Sequence, residues 1–322
     1  MISPRGVLEL MAGVATNLPR MIGLVRRQRP DAILVNTLTL PLWLLVGLVT
    51  RVPTIVHVHE AEASLPRVVR LALAAPLLAA QRVVFNSEVS RQVSSLRTLE
   101  RAGRVRVVHN GVAGPDHPTP ARSQLVEPVQ VLYVGRLSAR KGVDLLLRAV
   151  QLVRQRGMQV EVDVVGGVFP GYEWYEAQLR ELAICLGISS AVRFHGFQQV
   201  VWPYLDATDI AVVPSRSDES FGNAVVESLL AARPVIASDH TGLREAAAGY
   251  RSAVLVPPDD ADALAEALAH IIHQWPMFRA AAAEDVERAN RRVDPAVFRS
   301  ELAEVVQQAR DLRRRRGVKT PR

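Results

Sequence analysis

Short, nearly unbroken apolar runs alternate along this chain with longer stretches in which apolar residues recur every three or four positions. The short runs fall at residues 32–35, 54–58, 82–85, 105–108, 129–134, 160–165, 192–194, 210–213, 235–237 and 253–256. Each is rich in Val and Ile, a pattern that predicts strands buried on both faces, as in parallel sheets. Between them lie helical patterns such as residues 143–153, where Val143, Leu146, Leu147, Val150 and Val153 share one face. Strands and helices in regular succession predict an α/β, doubly wound architecture.

The periodicity fails between residues 113 and 128, where Pro115, Pro118, Pro120 and Pro128 accompany Gly114. This stretch reads as an interdomain linker. It separates an N-terminal Rossmann-like domain, residues 1–112, from a C-terminal one, residues 129–290. A second break near residues 291–295 precedes a final helix and a basic tail, residues 291–322.

With 322 residues and 49% hydrophobic content, the chain is too apolar for disorder and too long for one small core. Its net charge of +7 is unevenly placed: residues 1–110 hold 14 Arg against 6 Asp and Glu. The tail adds Arg313, Arg314, Arg315, Arg316, Lys319 and Arg322 without an acid among them. A basic face suits an anionic membrane surface or a phosphorylated acceptor, and a solvated Arg-rich surface explains it equally well. Nucleic acid is disfavoured, because aromatic residues are only 5% of the chain and no binding motif accompanies the charge. Cys185 is the single cysteine, which excludes an intrachain disulfide and favours a reducing compartment. The most apolar stretch, residues 33–49, is interrupted by Asn36, Thr37, Thr39 and Pro41 below membrane-spanning length. The expected location is cytoplasmic, peripheral on the inner face of the membrane if the basic face binds lipid.

Two constellations carry candidate chemistry. In the first, Tyr133-Val-Gly-Arg-Leu-Ser-Ala-Arg-Lys141-Gly leaves a strand, turns on Gly135 and enters a helix. A strand end, a small residue and a helix amino terminus can present backbone N–H groups to a phosphate, and Arg136 and Lys141 add two charges there. Basic residues on a solvated turn would look the same.

The second constellation runs from Pro214 to Ser238 and holds two carboxylates, Glu219 and Glu227, around Ser220, Phe221, Gly222 and Asn223. A strand ends at Pro214 and a helix begins near Asn223, so the N–H groups around Phe221–Ala224 can hold a phosphate, with Gly222 allowing close approach. Carboxylates beside a diphosphate repel it unless a neutral group lies between. Sugar hydroxyls fill that need, because an ionised carboxylate accepts two hydrogen bonds from a vicinal diol. Helix capping by Glu219 and a surface role for Glu227 are the plainer reading.

Taken together, these motifs resemble family 4 glycosyltransferases of the GT-B fold. The resemblance rests on Glu219 and Glu227 around Ser-Phe-Gly-Asn, on the following Arg-Pro-Val-Ile-Ala-Ser and Thr241-Gly-Leu-Arg-Glu245, and on the Arg136 and Lys141 turn. It extends to Phe194-His-Gly-Phe197, Val84-Phe-Asn-Ser87 and His109-Asn-Gly-Val112, in order over about residues 20–290. It implies two Rossmann-like domains with parallel sheets facing across a cleft, and transfer from a nucleotide-sugar donor with retention and without a metal. By motif, Arg136 and Lys141 grip the donor diphosphate, Glu227 binds the ribose diol, Glu219 the transferred sugar, and Phe197 flanks the base. In the first domain His59, at the end of Thr54-Ile-Val-His-Val-His59-Glu60, matches the position near the reacting sugar. His57 shares its strand face, so the assignment could slip by two residues.

The expected partners are a nucleotide-sugar donor and a hydroxyl acceptor: a glycan, a lipid-linked sugar or a small molecule. No cofactor is expected. Two alternatives remain open: a nucleotide-sugar-binding protein without transfer activity, and a sugar phosphorylase on the same fold. Asp260-Ala-Asp262 resembles a metal-binding pair but sits where a helix cap is expected. His270 and His273 share a helix face without a third ligand. The family's opening strand and Gly-rich loop have no counterpart before Pro30, so the first domain is expected to be truncated, with residues 32–35 at a sheet edge.

Overall fold

The computed structural model describes residues 4–315, and side chains within residues 13–311. The basic tail from Arg313 onward lies outside the described side chains, and residues 316–322 lie outside the described residues. The chain divides at His109 and Asn110 into two units, the first taking residues 1–109 and 296–322, the second residues 110–295.

In the first unit β1 (Ile33–Val35), β2 (Thr54–Val58), β3 (Arg82–Phe85) and β4 (Val105–Val107) form one sheet in chain order, every pair parallel. Because successive side chains leave a strand on opposite faces, the sheet feeds two cores. Val56, Val83 and Phe85 pack with Leu77 and Leu99 on one face. Ile55, Val84 and Val108 pack on the other against Val305 and Ala309 of the helix Pro295–Arg315. That helix is also held by charge: Arg106 reaches Glu304 at 2.6 Å, and Arg310 reaches Asp31 at 2.9 Å. β1 is an edge strand, with Leu34 48% exposed beside buried Val35.

The second unit has β5 (Val129–Val134), β6 (Val160–Val165), β7 (Val192–Gly196), β8 (Ile210–Val213), β9 (Val235–Ser238) and β10 (Ala253–Val256). They form one parallel sheet in the order β7-β6-β5-β8-β9-β10. The chain winds outward in one direction from β5 and in the other from β8, so the order reverses between these two strands. Ligands of such sheets bind at the carboxyl ends of the strands flanking that reversal. The ladder joining β5 to β8 is short, pairing Val131 with Ile210 and Leu132 with Ala211. The apolar face read from residues 143–153 is fully buried in helix Val143–Gln155, against Leu264, Leu268 and Ile271 of helix Ala261–His273.

Residues 113–128 belong to the second unit and are fastened to it. Arg233, only 1% exposed, donates to the carbonyls of Thr119, Leu205, Asp206 and Ala231 at 2.8–2.9 Å. Trp275 donates to Arg122 O at 2.9 Å and Arg279 to Ala121 O at 3.0 Å. Arg122 forms an ion pair with the buried Asp209.

Candidate functional site

The turns that follow β5 and β8 meet at the reversal point of the second unit. Gly142, at φ +67°, closes the first of them, and a Cβ there would lie 2.0 Å from Pro214 O at the end of the second. Glycine is therefore required by contact as well as by dihedral angle. The approach brings Lys141 Nζ to 2.7 Å from Glu219 Oε1, which also accepts from Ser215 Oγ at 2.9 Å.

The loop that carries Glu219 is held from behind. Glu219 N donates to Thr241 Oγ1 at 3.0 Å, and Gly242 N donates to Glu219 O at 2.8 Å. A Cβ on Gly242 would lie 2.4 Å from Phe221 N, so the loop and the start of helix Thr241–Ala247 share space that only glycine leaves open. His240 Nε2 lies 2.8 Å from Ser215 O, and its Nδ1 lies 3.0 Å from Thr241 Oγ1. A carbonyl only accepts, so Nε2 carries a proton here. Thr241 and Gly242 lay in a motif quoted from the sequence and His240 did not, and nothing in residue type alone marked His240 or Thr241 as supports.

Gly222, at φ +102°, opens the helix Asn223–Leu230. Val225 N–H and Val226 N–H turn onto Gly222 O. The N–H groups of Asn223 and Ala224 have no backbone acceptor among the described residues, which suits a helix end that receives an anion. Glu227, one turn into this helix, shares the face of Asn223. It borders a cavity of about 490 Å³ whose lining includes Gly135, Arg136, Phe169, Phe197 and Gln198. Among the described residues no side chain or N–H group donates to the Glu227 carboxylate, and burial raises its pKa above the usual carboxylate range. Phe197 stands at the rim, 80% exposed. The Arg136 guanidinium lies 3.6 Å from the centroid of the Phe169 ring and makes no ion pair among the described residues. Tyr133, buried beneath, donates to Arg136 O at 2.8 Å and fixes the turn.

One unit thus brings together Gly135, Arg136, Lys141, Phe197, Glu219, Ser220, Phe221, Gly222, Asn223 and Glu227 at the carboxyl ends of its strands, Phe197 after the edge strand β7 and the rest after β5 and β8. The sequence had separated Lys141 from Glu219 by role; the structure joins them as an ion pair. The aromatic segment Phe169-Pro-Gly-Tyr172-Glu-Trp174-Tyr175 was missed, although its cluster of aromatics after a strand was a signal.

In the first unit His59 follows β2, with Nε2 2.9 Å from Asn36 Oδ1 beyond β1. Glu60 ties the same two loops together. Its carboxylate accepts from Thr37 Oγ1, from Leu38 N at 3.3 Å and from His59 N at 3.0 Å. The His57 and His59 rings lie 4.0 Å apart, as expected for alternate residues on one strand face. Burial and the neighbouring His59 lower the His57 pKa to about 4, and burial also lowers that of His59. His57 is the buried member, and its Nε2 has no partner among the described residues.

Asp260 caps the helix Ala261–His273, accepting from Ala263 N at 2.8 Å, and the His270 ring packs on Phe278. Among the described residues no group of three or more His, Cys, Asp or Glu is placed to hold a metal ion. Among them, too, no helix is long and apolar enough to cross a membrane.

Two family models match the chain, one to each side of residues 113–128. The model of Glycosyltransferase Family 4 matches residues 3–113, and that of Glycosyl transferases group 1 matches residues 128–274. An amylovoran biosynthesis glycosyltransferase of Erwinia amylovora is 29% identical over 52% of this chain and 42% of its own length. D-inositol 3-phosphate glycosyltransferase 2 of Catenulispora acidiphila is 35% identical over 60% of this chain and 48% of its own. The chain thus spans about half the length of the curated relatives it matches. The structure of Anabaena Alr3699/HepE in complex with UDP-glucose superposes with a TM-score of 0.78 at 23% identity, covering 90% of this chain and 82% of that one.

Proposed function

Since the chain belongs to the family 4 glycosyltransferases, with the GT-B fold, we propose that it moves a hexose from a nucleoside-diphosphate sugar to a hydroxyl acceptor with retention of configuration. The observation that carries this reading is Glu227: a carboxylate desolvated enough to raise its pKa, yet without a donor among the described residues, inside a cavity that also contains Arg136. A half-buried carboxylate that faces a cavity is placed to accept two hydrogen bonds from a ribose diol. The cavity is of the size that small-molecule sites occupy. UDP-glucose in the Anabaena structure lends support to a nucleotide-sugar donor here.

In this reading Phe197 flanks the base, Glu227 receives the ribose hydroxyls, and the N–H groups at Asn223 and Ala224 face the diphosphate. Arg136 and Lys141 offset the charge that builds on the leaving group, and Glu219 receives hydroxyls of the transferred sugar. The bond from the anomeric carbon to the phosphate oxygen breaks, a bond to the acceptor oxygen forms on the same face, and the acceptor proton passes to the departing diphosphate. Interactions that strengthen as this charge develops are the ones that accelerate transfer. Two cationic side chains fill the role that a metal would otherwise take, so the reaction is proposed to need none. The first unit is assigned the acceptor, with the His59 imidazole facing a hydroxyl of a reacting sugar.

A cytoplasmic site of action at an anionic membrane belongs to the same reading. It is supported by the helix Arg67–Ala74, where Val68, at 78%, and Leu73, at 48%, are exposed beside Arg67 and Arg70. Sedimentation with anionic but not neutral liposomes, lost at high salt, is the expected outcome.

The reading is tested by titrating the chain with UDP-glucose and other nucleotide sugars, then measuring nucleoside diphosphate release against a panel of hydroxyl acceptors. An α-linked product from an α-configured donor is expected, and a β-linked product would rule out retention. Donor binding without transfer to any acceptor would select the binding-protein alternative, and phosphate-dependent release of a sugar phosphate from a disaccharide would select a phosphorylase.

A further inference from the structure

Beside the cavity of Glu227 lies a second of about 590 Å³, sharing with it Arg136 and Phe169. One wall is the turn from Arg136 to Lys141, and the other is the segment from Phe169 to Tyr175. That segment holds four of the chain's sixteen Phe, Trp and Tyr residues within seven positions. Phe169, Tyr172 and Trp174 remain 52%, 56% and 54% exposed. Their placement is built rather than incidental. Tyr172 N donates to Phe169 O at 2.9 Å across Pro170 and Gly171, and Gly171 has φ +88°, which makes a type II turn. Tyr175 N then donates to Tyr172 O at 2.9 Å, and the Trp174 ring stands 5.8 Å from that of Tyr175 at 82°.

The cations opposite are Arg136, Arg140 and Lys141, and no carboxylate lines the cavity among the described residues. Lys141 is engaged with Glu219. Arg140 is exposed and makes no ion pair among the described residues; its Nη2 donates only to the backbone oxygen of Asp218, at 2.9 Å. Exposed rings suit the apolar C–H face of a pyranose, for the same reason that aromatics dominate small-molecule sites. Arginines without acidic partners suit a phosphate or carboxylate.

We propose that this second cavity is a saccharide subsite that takes a sugar ring bearing an anionic group, stacked on Trp174 and Tyr172 with its charge on Arg140. In calling that saccharide a further sugar of the acceptor, beyond the reacting one assigned to the first unit, the inference rests on the transferase reading; in assigning the subsite and its ligand chemistry it does not.

The test uses the full chain and ligand-observed NMR with three probes: glucose 6-phosphate, glucuronate and glucose. Both anionic probes are expected to bind at least about tenfold tighter than glucose, a difference of the size one charge-assisted hydrogen bond supplies. Binding of only one of them would assign the charge as phosphate or as carboxylate. Trp174→Ala and Arg140→Ala are each expected to weaken the anionic probe by about tenfold or more, with melting temperature unchanged. Saturating UDP should leave the probe bound. Equal binding of glucose and the anionic probes, full affinity in either variant, or displacement by UDP would each overturn the subsite. UDP binding to the unmodified chain is read in the same experiment. Its absence would count against the nucleotide-sugar reading while leaving the subsite standing.

Discussion

Lys141 and Glu219 form an ion pair at 2.7 Å between the turns that follow β5 and β8. A donor diphosphate at this turn would compete with Glu219 for the Lys141 ammonium. Glu219→Gln is expected to tighten UDP binding severalfold, within the energy of one partly exposed ion pair, while lowering turnover about tenfold or more as a sugar contact weakens. Lys141→Ala is expected to lower turnover by about a hundredfold. Calorimetry and initial rates on the single and double variants decide the matter, and strictly additive effects would show that the pair is idle.

Burial raises the Glu227 pKa, so the folded protein holds a proton there more tightly than the unfolded chain does. Its contribution to stability is therefore present at low pH and lost as pH rises through the raised value. At neutral pH Glu227→Gln should melt higher than the parent and bind UDP-sugars more weakly by about tenfold. The parent should lose donor affinity on acidification at a pH above that of an ordinary carboxylate, and the variant should not. A variant with lower melting temperature and full affinity would remove Glu227 from the site.

For His57 the sign is opposite. Its pKa of about 4 lies below the ordinary 6.5, so the unfolded chain binds a proton that the folded one refuses. Stability is then complete above about pH 6.5 and falls as pH drops towards 4. His59, 4.0 Å away and also lowered, adds to the same trend. Melting curves over this range should flatten in His57→Leu, and a parent curve that is level between these values would contradict the assignment.

With charge on the leaving group met by Arg136 and Lys141, chelator should leave the transfer rate unchanged. Complete loss in chelator, restored by manganese, would assign a metal to the diphosphate.

The ten strands among the described residues were legible in the sequence as short Val- and Ile-rich runs. Of these, β2, β8 and β9 are buried along their whole length, as a strand covered on both faces must be, whereas β1, β4, β7 and β10 are only partly covered. Residue 143 onward was equally plain, since each apolar position read there is buried in helix Val143–Gln155. The site was legible as far as chain neighbours carry it: Gly222, Asn223 and Glu227 lie on one helix start. What spacing could not show is contact between segments far apart in sequence, such as Lys141 with Glu219 or Thr241 behind the Glu219 loop. Nor could it show that Glu60 binds the loops after β1 and β2 together, since a glutamate beside two histidines carries no record of Thr37 and Leu38. Prolines between residues 113 and 128 signalled irregular backbone correctly. They said nothing about attachment, which depends on Arg233, Trp275 and Arg279 elsewhere in the chain.

That attachment sets where the second unit can be cut free for separate production. Proline-rich composition invites a start after residue 128, but this would remove Arg122, the partner of a carboxylate with 1% of its side chain exposed, Asp209. It would also remove Thr119 O, one of the carbonyls that satisfy the buried guanidinium of Arg233. Among the described residues Asp209 would keep only the Gln130 N–H as a donor, at 2.8 Å. Breaking a buried ion pair by removing one partner typically costs about 3–5 kcal/mol, roughly a third or more of what a domain has. A fragment beginning at Asn110 should therefore express as a folded, cooperatively melting protein, and one beginning at Val129 should be recovered mostly as aggregate.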